Sequence, residues 1–425
     1  MDMDGYLDTR WERVKGMRIA FYGNIANNFY QIVKALRAQY QIDAHLYIDA
    51  HGPTGMRPES DSPTLKNHYP NWIHEGHYLN RTSMLFPWTS HLVRELEQYD
   101  AVIVSYLGPM VTQFIHKPTI FFVTGSDLTF FPFPREYRLL HAGTRSKLSA
   151  LVKGFWLRRG IRRALEIWTQ PYFPFVNALK KLYINDARIS PIYLPLVIDT
   201  ERFTFDEKAR YRKDQNIQQI VTNFDFVLFH PSRLMIRDHP RLKAAGQWKR
   251  NDLLFRGFAK FIERSGARRS VLVMPDRTQS DDLPMGKEII HKMGLDQNVL
   301  WIKPPRQEGF TRDELIPLYS IADVVADDFG IGWFGSVVLE AYALSRPVIT
   351  YIDENVVSKL YPWHPILSAN TEEGIVDHLM RLYSDPEYKR EVGCKGREWV
   401  EEFHSGKKVS AIYVKKIVEL CDRFA

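Results

Sequence analysis

Short, uninterrupted apolar runs recur along this chain, each closed by Gly, Pro or Asp and followed by a stretch of helical spacing, and that alternation leaves little choice of fold. From Met17 the sequence reads MRIAFYGNIANNFYQIVKALRAQYQIDAHLYIDA. This is a strand, a Gly-Asn turn, a helix with apolar spacing at Ile32, Val33 and Leu36, and a second strand ending near Asp49. The runs DAVIVSYLG from Asp100 and PTIFFVTGSD from Pro118 are apolar throughout, as strands covered on both faces of a parallel sheet must be. After Tyr193–Phe203 the pattern restarts. Strands at Phe226, Ser270, Asn298, Asp323 and Pro347 alternate with helices at Asp252–Ser265, Met285–Met293, Arg312–Ile321 and Ser336–Arg346. The expectation is α/β: two Rossmann-like, doubly wound domains facing a central cleft, with ligands at the C-terminal ends of the strands. A length of 425 residues suits two cores, since one core stops growing at about 250–300 residues. The segment His51–Asn80, rich in Pro, Gly, His and Asp, reads as loop.

Composition narrows the function classes. Two cysteines, Cys394 and Cys421, make no disulfide framework and form no CxxC pair, so a cytoplasmic setting is expected. Met1–Lys15 lacks the apolar core of a signal peptide, and no run of about 18 apolar residues exists to span a membrane. A net charge of +7 favours an anionic partner, whether a phosphorylated small molecule, nucleic acid or a membrane surface. The 14 histidines show no HExxH spacing, so no metal centre is expected. GxSxG and Walker A patterns are absent, and the lack of GxGxxG after a strand disfavours a dinucleotide oxidoreductase.

The stretch ADDFGIGWFGSVVLEAYALSRPVITYID, from Ala326, concentrates the chemistry. A helix starting at Ser336, a good N-cap residue, and stopped by Pro347 places Glu340 about one turn in. Free N–H groups at Gly335–Ser336 suit a phosphate, and a carboxylate beside them offers paired acceptors to a vicinal diol such as ribose. The plainer alternative is a glutamate that complements the helix dipole. Gly330, Gly332 and Gly335 let backbone approach a ligand.

LYSIADVVADDFGIGWFGSVVLEAYALSRPVITY resembles the C-terminal signature of family 4 glycosyltransferases, retaining enzymes of the GT-B fold, whose usual form carries E-x7-E within EGFGLVLLEAMACGKPVI. LPLVIDTERF and GCKGREWVEEFHS resemble two further family segments. The resemblance implies an N-terminal acceptor domain over 1–196, completed by a C-terminal helix at 406–425, and a sugar-nucleotide domain over 197–405. Glu340 matches the second glutamate, which implies a ribose contact. The first glutamate is Gly332 here, and Asp327 or Asp328 upstream is the candidate replacement on the donor sugar. Arg233, in HPSRL, matches the family's phosphate-binding arginine. Lys249 matches its lysine after an inserted loop, with Arg237, Arg241, Lys243 and Arg250 as rivals. Two such cations would stabilise a departing diphosphate without a metal.

Gly23 and Asn24, in GNIANN, resemble the family's acceptor and phosphate loop; the plainer reading is a tight strand-to-helix turn. FVTGSDLTFF matches a segment that usually reads VHGSD, so Thr124 replaces the histidine, and Asp127 is either a catalytic or acceptor-orienting group or a cap for the next turn. The basic, aromatic segment 145–168 is a candidate for peripheral membrane contact at the inner face, or a helix packing its apolar stripe on the core. The resemblance therefore implies a retaining glycosyltransferase, of the kind that builds polysaccharides, moving a sugar from a nucleoside diphosphate donor to a glycan or lipid-linked acceptor, with no cofactor, no metal and no nucleic-acid partner. The alternative is an inactive relative that binds or scaffolds.

Overall fold

A computed structural model of the protein describes residues 15–134 apart from 53, 62 and 67, and residues 144–190, 196–276, 282–306 and 309–424. The chain divides into two compact units, residues 1–197 with 406–425, and residues 198–405.

The first unit is built on a six-stranded parallel sheet: β1 (Arg18–Tyr22), β2 (Asp43–Asp49), β3 (Ile73–Gly76), β4 (Ala101–Val104), β5 (Thr119–Phe122) and β6 (Glu166–Trp168), in the order β3-β2-β1-β4-β5-β6. The second carries β7 (Phe226–Phe229), β8 (Ser270–Pro275), β9 (Val299–Ile302), β10 (Val324–Ala326), β11 (Val348–Thr350) and β12 (Leu367–Ser368), in the order β12-β11-β10-β7-β8-β9. Numbered within its own unit, each sheet reads 3-2-1-4-5-6 or its reverse, the Rossmann order. The order reverses between β1 and β4 in one sheet and between β7 and β10 in the other, and loops there open into a crevice that binds ligands in such folds.

The helices that position the sites are α1 (Asn28–Tyr40), α2 (Arg81–Leu85), α3 (Thr144–Arg163), α4 (Asn251–Ser265), α5 (Arg312–Ile321), α6 (Ser336–Ala343) and α7 (Gly406–Phe424). Although last in sequence, α7 sends Val409, Tyr413, Val414, Ile417 and Val418 into the core of the first unit beside Ile32, Val33 and Leu36 of α1. Lys416 on α7 also pairs with buried Glu166 of β6 at 2.8 Å.

Three strands depart from the sequence expectation. β3 lies within the segment read as loop, and with only one buried residue among Ile73–Gly76 it carries no apolar run. β6 opens on a glutamate whose charge Lys416 compensates, and β12 is two residues long. Helix α6 ends at Ala343 rather than Arg346. Ser345 takes a left-handed φ of 56° while Arg346 N–H bonds back to the Ala341 carbonyl at 2.9 Å, a C-terminal closure completed before Pro347.

Candidate functional site

At the crevice of the second sheet, β7 runs into His230-Pro231-Ser232-Arg233 and β10 into Asp327-Asp328. His230 is fully buried; its Nδ1 lies 2.8 Å from the Ala326 carbonyl and its Nε2 lies 3.0 Å from Asn251 Nδ2. The carbonyl can only accept and the amide nitrogen only donate, so the ring is neutral and cross-links the two loops to the start of α4.

Asp327 and Asp328, each 3% exposed, share one cation. Lys249 Nζ is 3.4 Å from Asp327 and 3.7 Å from Asp328, and it reaches Ser232 Oγ at 3.3 Å. Ser232 Oγ donates to Asp327 in turn. Burial, opposed by Lys249 and reinforced by Asp327, raises the Asp328 carboxyl to about 7. Lys249 is aimed by its surroundings: Arg250 takes a left-handed φ of 54°, and Phe329 N–H donates to the Lys249 carbonyl at 2.8 Å. Gly330 is required there, because a Cβ would sit 2.3 Å from the Trp248 carbonyl oxygen.

The rival cations of the inserted loop go elsewhere. Arg237 pairs with Asp282 at 2.6 Å, Lys243 with Asp238 at 2.8 Å, and Arg250 lies over the Trp248 ring. The Arg241 side chain falls outside the described residues. Arg233 is exposed, with its guanidinium on Gln247 Oε1 at 3.2 Å, and it has no carboxylate partner among the described residues. Enough protein crowds the guanidinium to lower its pKa from the ordinary arginine value.

Gly332 has a φ of 81°, and its carbonyl accepts from Asp353 N–H at 2.9 Å. Ser336, expected as the N-cap, is instead the first helical residue of α6; the N-cap is Gly335, which has no side chain to cap the first N–H groups. Glu340, 4% exposed, takes Arg312 Nε on Oε1 and the Tyr319 hydroxyl on Oε2, both at 2.9 Å. Burial and then the Glu340 charge drive the Tyr319 phenol far above its usual range. The glutamate in this apolar helix is thus half of a buried pair with α5, and the solvated dipole complement is excluded. Neither Arg312 nor Tyr319 was a candidate from sequence; they lie 28 and 21 residues from Glu340, and no spacing rule links them.

In the first unit, Gly23 has a φ of 91° and a Cβ there would lie 2.6 Å from Ser105 Oγ, so the turn after β1 needs glycine. Asn24 is held within the loop. Its fully buried side chain donates to Asn27 Oδ1 at 2.6 Å and to the Met56 carbonyl at 2.9 Å, and accepts from Tyr30 N–H at 2.9 Å. These bonds shape the loop. Asp127 is likewise a clasp. Its carboxylate accepts from the N–H groups of Thr124 at 3.0 Å, Gly125 at 2.8 Å and Tyr106 at 3.0 Å, and from Thr124 Oγ1 at 2.7 Å. Burial raises its pKa while these bonds pull it down. Both oxygens are engaged in capping and tying loops, the plainer of its two sequence readings. Among the described residues no group of three or more His, Cys, Asp or Glu is placed to hold a metal ion.

Two Rossmann units of matching strand order, with the crevice furnished as above, define the GT-B fold. No protein-family model and no curated protein matches the chain. Among solved structures it is similar to sucrose-phosphate synthase from Thermosynechococcus elongatus, with a TM-score of 0.64 at 14% identity over 96% of this chain and 100% of that one. It is similar to Anabaena HepE in complex with UDP and glucose, at 0.63 and 13% over 95% and 100%. It is also similar to WaaG, a glycosyltransferase involved in lipopolysaccharide biosynthesis, at 0.58 and 13% over 94% and 99%.

Proposed function

We propose that the protein is a retaining glycosyltransferase of the family 4 type, which binds a nucleoside diphosphate sugar on its second unit and uses the first to receive a glycan or lipid-linked acceptor. The observation that carries this reading is the pairing of roles after β7: Arg233 has no carboxylate partner among the described residues, while Lys249, later in the same inserted loop, is fixed by Asp327 and Asp328. An anion with two phosphates supplies what Arg233 lacks, and the uncapped N–H groups of Gly335–Ser336 at α6 suit one phosphate oxygen. The UDP-bound state of a structural neighbour of the same fold supports the donor class.

In this reading the bond between the anomeric carbon and the phosphate oxygen breaks as the acceptor hydroxyl adds on the same face. The acceptor's proton passes to the departing phosphate oxygen, whose charge Arg233 and Lys249 stabilise in place of a metal. No protein base is required, which accommodates an Asp127 committed to loop bonds. Glu340, held in place by Arg312 and Tyr319, is the carboxylate that would meet the ribose hydroxyls. Asp328, close to half protonated near neutrality, can both donate to and accept from sugar hydroxyls next to Gly332. A lipid-linked acceptor would bring the chain to a membrane surface.

Thermal shift against UDP, GDP, ADP and CMP and their sugar conjugates tests the reading, because a ligand bound only by the folded form raises the melting temperature. A shift with a nucleoside diphosphate, lost in Arg233→Ala, is expected. The absence of any shift, or an unchanged shift in the variant, overturns it. The scaffold alternative is favoured by the glycine at position 332 in place of a glutamate and by Thr124 in place of a histidine; donor binding without turnover over a broad acceptor panel would select it.

A further inference from the structure

We infer that the outer face of α3, together with the adjoining segment Leu85–Trp88, docks on an anionic lipid surface. Of the eleven exposed large apolar side chains among the described residues, six gather here: Leu85, Phe86, Trp88, Leu148, Leu151 and Phe155. Leu148, Leu151 and Phe155 follow the i, i+3, i+7 spacing of one helical stripe, while Gly154, Leu157, Gly160 and Ile161 on the opposite face are buried. Close packing fixes that inward face, since a Cβ on Gly160 would fall 1.5 Å from the Pro109 carbonyl oxygen. The helix cannot roll its apolar stripe inward.

A chain of rings joins the two segments into one patch. Phe155 and Trp156 have centroids 4.9 Å apart, Trp156 and Trp88 5.8 Å, and Trp88 and Phe86 5.3 Å. Trp156 Nε1 donates to the Leu85 carbonyl at 3.0 Å, so the loop is fastened to the helix. A protein seldom leaves a contiguous patch of this kind bare unless it contacts something.

Charge selects the occupant. Neither 77–94 nor 137–165 contains an aspartate or glutamate, and the two hold Arg81, Lys147, Lys153 and Arg159, none with an acidic partner among the described residues. Further along the outward stripe the helix continues with Arg162 and Arg163. Aromatic and leucine side chains accompanied by cations that have no acidic partner among the described residues match the boundary between acyl chains and anionic headgroups. A second copy of this chain would set like charges against each other, which opposes self-association through the same face. The inference stands on the patch whatever sugar or acceptor the chain handles.

Flotation of the full chain with vesicles of phosphatidylcholine alone, and of phosphatidylcholine doped with phosphatidylglycerol, tests it without any activity assay. Binding to the anionic vesicles, weak on the neutral ones and reduced by salt, is expected. Leu148→Ser with Phe155→Ser lowers the partition coefficient by about tenfold or more, as loss of two inserted apolar groups requires. Lys147→Ala with Lys153→Ala lowers it by about tenfold on anionic vesicles only. These side chains are at least partly exposed, so unchanged circular dichroism and melting temperature should accompany both variants. Equal binding to neutral vesicles, no binding to either, or binding that survives both variants overturns the inference. So does a dimer in sedimentation that Leu148→Ser with Phe155→Ser dissolves, which would assign the patch to a second copy.

Discussion

Arg312 Nε donates to Glu340 Oε1 at 2.9 Å with the two side chains 13% and 5% exposed, so the acid in the apolar helix α6 is half of a charge pair with α5. Removing one partner strands the other. Arg312→Met should therefore destabilise the chain by about 3–5 kcal/mol. Adding Glu340→Gln, which keeps an acceptor for the Tyr319 hydroxyl, should recover much of that loss. Urea denaturation of the single and double variants measures both; additive losses would show that the two charges do not depend on each other.

Asp328 couples stability to pH. Its carboxyl is raised from 3.8 to about 7, so between those values the folded state binds more protons than the unfolded one and stability falls as pH rises. Asp328→Asn removes the titration while keeping an oxygen for Ile331 N–H. The variant should gain on the order of 1 kcal/mol or more over the parent at pH 8, and much less at pH 5. Melting curves across that range check it; a parallel offset at all pH values would contradict the titration.

Legibility from sequence divides along burial. β1, β4, β5, β7 and β8 are uniformly or almost uniformly buried, and their apolar runs announced them. β3 and β6 interleave His74, Glu75 and Glu166, acceptable only because neighbouring groups compensate them, as Lys416 does for Glu166 from the far end of the chain. The same limit governs the site. Lys249 was readable as one of five basic residues in a loop, but its selection depends on the left-handed Arg250 and on Gly330, a local geometry that no periodicity encodes. Asp127 and Asn24 were each open in sequence to a site role or a turn role; the buried backbone N–H groups that bond them become visible only in three dimensions.

Asp127 separates stability from chemistry. If it serves as a loop clasp, Asp127→Asn turns one acceptor oxygen into a donor facing N–H groups, and should cost about 2–3 kcal/mol while sparing much of kcat in the folded fraction. A proton-collecting role would give the opposite split, with kcat lost by about a hundredfold or more and little change in melting temperature. Donor hydrolysis rates, normalised to folded protein, distinguish the two.

Arg233 and Lys249 should part company in the same manner. Arg233 is exposed and, among the described residues, its side chain bonds Gln247 and no carboxylate, so Arg233→Ala should leave stability within about 0.5 kcal/mol of the parent while abolishing the thermal shift by a nucleoside diphosphate. Lys249 neutralises two buried carboxylates, so Lys249→Ala should lose ligand response and about 3–5 kcal/mol of stability together. That loss should be smaller at pH 5 than at pH 8, because without the cation Asp328 is pushed further up and is neutral at the lower pH. Lys249→Arg keeps the charge and should restore stability more fully than ligand response, since a planar fork replaces a point charge in a space already filled by Ser232, Asp327 and Asp328. If Lys249→Ala were as stable as Arg233→Ala at pH 8, the two carboxylates could not be relying on it, and the charge arrangement at this crevice would have to be redrawn.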